Sequence, residues 1–362
     1  MVKRDRLGIA VIGCGRIGTL RATMAAAHSA VAFVAVADQD PVRAKMLADK
    51  VGAQFHTSNN LEAMSRPEVN AIVVSTIEMA HTEPVLQALG LGKAVLVEKP
   101  IAVDLHTADR ILAAAAKSKS SLHVGYSRRF KERYLIAKEQ IVQGRLGRIT
   151  GTAARVYNSR SQAMQTLARM PAESNPVSGL TYYIDLLNWL LAGNEVVEVV
   201  ARGQRGVISE SGHNAPDVVG VLLTYADGAI STLGVSYALP AKYPSLGHAA
   251  RVEVVGREGV MLLDDDHTDQ LMYSERGADH VYIPGHRANM VFLGSGTPGD
   301  WALGEFQGPV ATETRAWLDH LSMGKPCHLA TAHEARKVVE ITLAIERSLR
   351  TRQAVELPLA QE

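Results

Sequence analysis

Short runs of Val, Ile and Ala alternate with longer stretches of helical periodicity over the first 125 residues. Leu7–Ile12, Val31–Ala37, Ala71–Ser75 and Ala94–Val97 are compact apolar runs of the kind that strands buried on both faces require, and Leu122–Gly125 is a weaker fifth. Between them, Ile17–His28, Pro41–Val51, Thr82–Leu91 and Leu105–Ser118 read as helices. A strand, helix, strand rhythm calls for right-handed crossovers, so residues 1–125 are expected to form a doubly wound α/β domain with a parallel sheet.

The rhythm changes after Gly125. Ile149–Asn158, Val196–Gly206, Val218–Tyr225, Ala229–Tyr237 and Ala249–Val255 read as longer strands, with Ala226-Asp227-Gly228 as a hairpin turn. Residues 126–362 are therefore expected to form an α+β domain around a large, open, mostly antiparallel sheet. A helix near Tyr182–Leu191 would cover one face, leaving the other for a second subunit. The helical stretches Ala311–Met323 and His333–Arg350 are free to return to either domain. Gly285–Gly308, rich in glycine and without periodicity, reads as a long surface loop near a cleft or an interface.

Composition narrows the setting. The chain has 362 residues, which exceeds the size at which single cores stop growing and favours two domains. With 47% hydrophobic residues, 21% charged residues and a net charge of +1, no bias points to nucleic acid or a membrane surface. Cys14 and Cys327 cannot form a disulfide framework, and the first apolar run is too short for a signal peptide or a membrane span. The expected location is the cytoplasm.

The candidate chemistry begins with GCGRIG, which follows the first strand and opens the first helix. Gly13 permits the tight turn, Gly15 lets the backbone approach a pyrophosphate, and Gly18 allows close packing of helix on strand. Free N–H groups around Arg16 and Ile17 and the helix dipole favour an anion there. Asp38, twenty residues beyond Gly18 at the end of the second strand, is placed to bind an adenosine ribose diol. Its charge would repel the extra phosphate of NADP. Gln39 and Asp40 supply no cation and Arg43 falls on the following helix, so NAD is expected over NADP.

Glu98-Lys99-Pro100 ends the strand AVLVEKP at the ligand-binding side of such a sheet. Together with GCGRIG, the segment Ser75-Thr76 to His81, GYSRRF at 125–130, QGRLGRI at 143–149 and DLLNWLL at 185–191, it resembles the Gfo/Idh/MocA family of glucose-fructose oxidoreductases and inositol dehydrogenases. The resemblance implies a Rossmann domain followed by a domain for substrate binding and oligomerisation. It implies cofactor contacts from Gly13, Gly15, Arg16, Ile17, Gly18, Asp38, Ser75, Thr76, His81, Glu98 and Lys99. Lys99 would lie by the nicotinamide, where its ammonium stabilises a developing alkoxide and relays a proton. Glu98 would instead serve to orient the lysine, and His81 is equally readable as a helix-start residue. Tyr126, Ser127 and Arg128 resemble the segment that borders the substrate, although an interdomain salt bridge from Arg128 or Arg129 fits as well.

One family pattern is broken. The family's D-x-x-x-H-x-x-D, aligned on Asp185, puts Tyr182 at the histidine and Ser178 at the first aspartate. Tyr182, Asp185 and Trp189 share a helix face, so Tyr182 is assigned to proton transfer, Asp185 to substrate contact and Tyr183 to packing. The activity implied is hydride transfer between NAD and a secondary hydroxyl or ketone of a sugar, inositol or related cyclic polyol, by a homodimer or homotetramer assembled through the second sheet. An NAD-binding sensor without turnover, and a dehydrogenase of an aromatic dihydrodiol or sugar acid, remain open; Arg128, Arg129, Arg155 and Arg160 would favour a carboxylate. Asp264-Asp265-Asp266-His267 reads as a turn, and no metal is expected.

Overall fold

A computed structural model describes residues 6–118, 120–159, 164, 167, 180–213, 215–239, 249–264, 271–279, 287–292, 300–302 and 305–360. The chain divides into two units, Met1–Phe130 with Gly299–Val339, and Lys131–Pro298 with Glu340–Glu362.

In the first unit, β1 (Leu7–Ile12), β2 (Val31–Ala37), β3 (Phe55–Thr57), β4 (Ala71–Val74), β5 (Ala94–Glu98) and β6 (Leu122–Gly125) form a parallel sheet in the order β6-β5-β4-β1-β2-β3. The two-residue strand Ala330–Thr331 adds antiparallel to β6. The crossovers carry α1 (Arg16–Ala27), α2 (Pro41–Val51), α3 (Asn60–Met64), α4 (Thr82–Gly90) and α5 (Leu105–Ser118). Sequence explains their limits: Asp40 caps α2 by accepting from the N–H groups of Val42 and Arg43, Pro41 occupies its first position, and Gly52 ends it in the left-handed region. Every residue of β1 and β4 is buried, the reason those runs are uninterruptedly apolar.

The unit boundary falls at Phe130 rather than at Gly125, and the helix Pro309–Met323 belongs to the first unit. The cause is packing: Phe130, Trp317, Leu318 and Leu329 lie in the same buried cluster as Ile9, Val11, Val36 and Leu96. Residues 126–130 therefore finish the first core instead of opening the second.

The second unit contains α6 (Glu132–Val142) and β7 (Ile149–Ser159), β8 (Val196–Gln204), β9 (Val218–Tyr225), β10 (Ile230–Leu239), β11 (Ala249–Gly256), β12 (Gly259–Asp264), β13 (Leu271–Asp279) and β14 (Arg287–Phe292). Their order is β14-β13-β12-β11-β7-β10-β9-β8, with Val355–Glu356 beyond β8; every pairing is antiparallel except β7 with β10. The helix Thr181–Leu190 packs on the inner face, where the Tyr225 hydroxyl donates to Asn188 Oδ1 at 3.4 Å. The segment read as one long loop holds β14 and a small hairpin, Asp300–Ala302 with Glu305–Gln307. These pieces are too short to show periodicity among the glycines around them. No helix among the described residues is long and apolar enough to cross a membrane.

Candidate active site

Because β1, β2, β4, β5 and β6 are parallel, their carboxyl ends lie along one edge of the first sheet. The glycine loop leaves β1 there, Asp38 follows β2, Ser75 and Thr76 follow β4, Lys99 follows Glu98 at the end of β5, and Tyr126 follows β6. This edge is where doubly wound sheets bind ligands.

The glycines do three different jobs. Gly13 has φ +95°, and a Cβ there would stand 2.6 Å from the Ser75 carbonyl oxygen. A Cβ on Gly18 would stand 1.8 Å from the Gly13 carbonyl oxygen. Gly15, by contrast, is exposed and would place a Cβ into open space. It caps α1 without any side-chain hydrogen bond, so the first N–H groups of that helix remain available to an anion. Arg16 is exposed and Ile17 half-buried in the same turn.

Asp38 is anchored to this loop. Its Oδ2 accepts from the Cys14 N–H at 2.8 Å and its Oδ1 from the Asp40 N–H at 3.0 Å, while Arg43 Nη1 lies 3.9 Å from Oδ2. Burial, reinforced by the Asp38 charge and only partly opposed by Arg43, pushes the Cys14 thiol up to about 12. It stays a protonated, inert thiol.

Ser75 is buried, with its hydroxyl 3.2 and 3.1 Å from the carbonyl oxygens of Ile12 and Gly13, so it braces the glycine loop. Thr76 is half-buried. His81 is buried with Nδ1 2.8 Å from the Pro100 carbonyl oxygen and Nε2 3.2 Å from that of Thr76. Its ring thus ties the turn after β4 to the turn after β5. Lys99 is half-buried, and its peptide bond to Pro100 is cis.

Glu98 is committed to Arg21: its Oε1 accepts from Arg21 Nε at 2.9 Å and Nη2 at 2.7 Å. Burial lowers the guanidinium's affinity for its proton, but Glu98 and Glu313 overcome that and hold Arg21 above its ordinary value. Sequence reasoning passed over Arg21 and Glu313. The signal was present, because Arg21 shares the stripe of Gly18, Ala22 and Ala25 that α1 buries, and a charge on such a stripe requires a partner.

Tyr126 is buried and Arg128 half-buried. Ser127 is buried in the short 3-10 turn Ser127–Phe130. Arg129 is also buried and pairs with Glu334 at 3.3 Å, inside the first unit.

In the second unit the helix Thr181–Leu190 is buried at every position except Tyr182 and Asn188, which are half-buried. Asp185 and Tyr183 are fully buried. Lys138 on α6 donates from Nζ to the Trp189 carbonyl oxygen at 2.5 Å and stands 5.4 Å over its ring. Arg155 lies 4.8 Å over the Tyr157 ring, and Asp264 pairs with Arg251 at 2.8 Å. Ser178, Arg160, Asp265, Asp266 and His267 fall outside the described residues.

Residues 7–126 match the oxidoreductase family with an NAD-binding Rossmann fold, and residues 134–262 match the GFO/IDH/MocA C-terminal domain. The inositol 2-dehydrogenase of Ralstonia nicotianae is 30% identical over 279 residues, covering 75% of this chain and 78% of that protein. The chain belongs to the Gfo/Idh/MocA family. The myo-inositol 2-dehydrogenase of Thermotoga maritima is 24% identical over 356 residues, 96% of this chain and 98% of its own length. The structure of scyllo-inositol dehydrogenase from Lactobacillus casei with bound NAD(H) and scyllo-inositol superposes with a TM-score of 0.76. It covers 97% of this chain and 99% of that one at 17% identity, a likeness of fold. This Gfo/Idh/MocA protein is therefore an oxidoreductase whose first unit is an NAD-binding Rossmann domain.

Proposed function

We propose that the protein is an NAD-dependent dehydrogenase acting on a secondary hydroxyl of inositol, a sugar or a related cyclic polyol. The observation that carries this reading is the single sheet edge on which the glycine loop, Asp38 and the Glu98-Lys99-Pro100 turn emerge together. The residues fit the dinucleotide: the open space at Gly15 and the uncapped start of α1 suit a pyrophosphate, and the Asp38 carboxylate, fixed by two N–H groups, suits a ribose diol.

Bound NAD supplies the hydride acceptor. As the substrate carbon gives up hydride, its hydroxyl proton must leave. Lys99 takes that proton on Nζ as the free amine, and the ammonium so formed holds the developing alkoxide before releasing a proton to water. Tyr182 offers a relay for the same proton, its phenol oxygen taking it as the phenol's own proton passes to a neighbouring acceptor, Asp185 accepts from substrate or from a neighbouring donor, and Tyr126 and Arg128 bound the substrate. The names of the two inositol dehydrogenases direct the substrate class toward cyclic polyols.

The assembly is a homodimer or homotetramer built through the second sheet, in the cytoplasm. Paired residues share a face, and one row across the sheet runs Met290, Tyr273, Val260, Val255, Gly151 and Ile230. Met290, Tyr273, Val255 and Ile230 are exposed, a continuous apolar band that a second copy would cover.

A panel of myo-inositol, scyllo-inositol, glucose, a sugar acid and an aromatic dihydrodiol, followed by nicotinamide absorbance with NAD and NADP, tests the reading. Oxidation of a cyclic polyol with NAD supports it. Turnover restricted to the acid or the dihydrodiol moves the substrate class. Tight NAD binding with no turnover on any of them would favour a sensor, the alternative that Ser178 and Tyr182 support by departing from the family pattern.

A further inference from the structure

Arg21 and Glu313 are separated by 292 residues and are both 0% exposed. Arg21 Nη2 donates to Glu313 Oε2 at 2.5 Å as well as to Glu98, and Nη1 donates to Thr314 Oγ1 at 2.7 Å. Room for this arrangement comes from Gly125, where a Cβ would stand 2.9 Å from Arg21 Nη2 and 3.2 Å from Glu98 Oε2. One guanidinium thus joins the helix that opens at the glycine loop, the carboxyl end of β5 and the helix Pro309–Met323, in the room left by Gly125 at the end of β6.

A buried ion network of this kind adds little stability over apolar residues of equal volume. Its value is directional, since it fixes where its members stand. Here the last member is Glu98, whose chain neighbour is Lys99. We propose that Glu313 is a positioning residue for the dehydrogenase reaction: it holds Arg21 on Glu98 and thereby fixes the strand end that carries Lys99. The inference rests on the reading of Lys99 as the proton-transfer residue. Glu313 touches neither substrate nor cofactor and acts through Arg21.

The test uses Glu313→Gln, which keeps size and an acceptor oxygen but removes the charge. In the nucleotide-free protein, reductive methylation with isotope-labelled formaldehyde gives each lysine a methyl resonance, and Lys99→Arg assigns that of Lys99. The Lys99 resonance is expected to move or broaden in Glu313→Gln; an unchanged resonance overturns the proposal. With NAD and myo-inositol, kcat is expected to fall by about tenfold or more while the KM for NAD stays within about twofold, the signature of a misplaced catalytic group. In a Lys99→Ala background the same substitution should cost almost nothing, because its effect runs through the lysine. An undiminished loss there would show a merely structural role and overturn the proposal. Lys99→Ala with full turnover would instead sink the reading of Lys99 itself. If Glu313→Gln does not fold, Thr314→Val, which removes the Arg21 Nη1 contact together with the hydroxyl's own bond to the Val310 carbonyl, must move the same resonance in the same direction, and an unmoved resonance decides against the proposal.

Discussion

The Cys14 N–H donates to Asp38 Oδ2 at 2.8 Å, tying the start of the glycine loop to the end of β2. With Oδ1 held by the Asp40 N–H, the carboxylate is oriented before any nucleotide arrives. Preorganisation of this kind lowers the ordering cost of binding. Asp38→Ala is expected to weaken NADH by about tenfold or more and to narrow the gap between NADH and NADPH. Dissociation constants for both nucleotides in both proteins check this; tighter NADPH than NADH in the wild type would contradict it.

The glycines separate binding from folding. Gly15→Ala projects into open space, so it should leave the melting temperature within about a degree or two while reducing NAD affinity by about tenfold or more. Gly18→Ala meets the Gly13 carbonyl at 1.8 Å and should destabilise the fold by about 2 kcal/mol or more. Calorimetry with and without NAD distinguishes the two. Equal melting temperatures for both variants would remove the argument.

Limits in the first unit were legible where apolar residues kept a regular pattern: β1, β2 and β6 as short apolar-rich runs, and α2 and α5 by helical period, begin and end where that pattern put them. The short elements were not, since Phe55–Thr57 and Asn60–Met64 are too brief for any period to show. Lys99 was marked by its motif. Arg21 was legible only as an anomaly on an apolar stripe, and its partner Glu313 lies so far along the chain that no local pattern links them. The return of Pro309–Met323 to the first core depends on tertiary packing of Trp317 and Leu318, which composition does not specify.

His123 gives the first unit an acid sensitivity. Burial, with the nearby His320 adding and Glu334 opposing, pushes its imidazole down to about 4, against the ordinary 6.5. The unfolded chain therefore takes up this proton first, so the contribution to stability is whole above pH 6.5 and is lost as pH falls from 6.5 toward 4. Its size is on the order of 3 kcal/mol. His123→Gln should flatten the denaturation profile in that window; an unaltered slope would exclude this group as the source.

The apolar row on the second sheet gives the assembly its test. Val255 and Ile230 flank Gly151 in that row, each pairing with it. Val255→Asp should convert the oligomer to monomer by light scattering at micromolar concentration, with the circular dichroism unchanged, because a charge would be buried without a partner. A wild type that is monomeric throughout that range would contradict the assembly.

The central claim is that Lys99 carries the proton transfer at the edge where the glycine loop and Asp38 hold the dinucleotide. Its most direct test is the single-turnover rate of NADH formation from a polyol that the wild type oxidises, compared in wild type and Lys99→Ala with both saturated in NAD. The rate is expected to fall by about a hundredfold or more with NAD affinity nearly unchanged. A Lys99→Ala protein that forms NADH as fast as the wild type would contradict it.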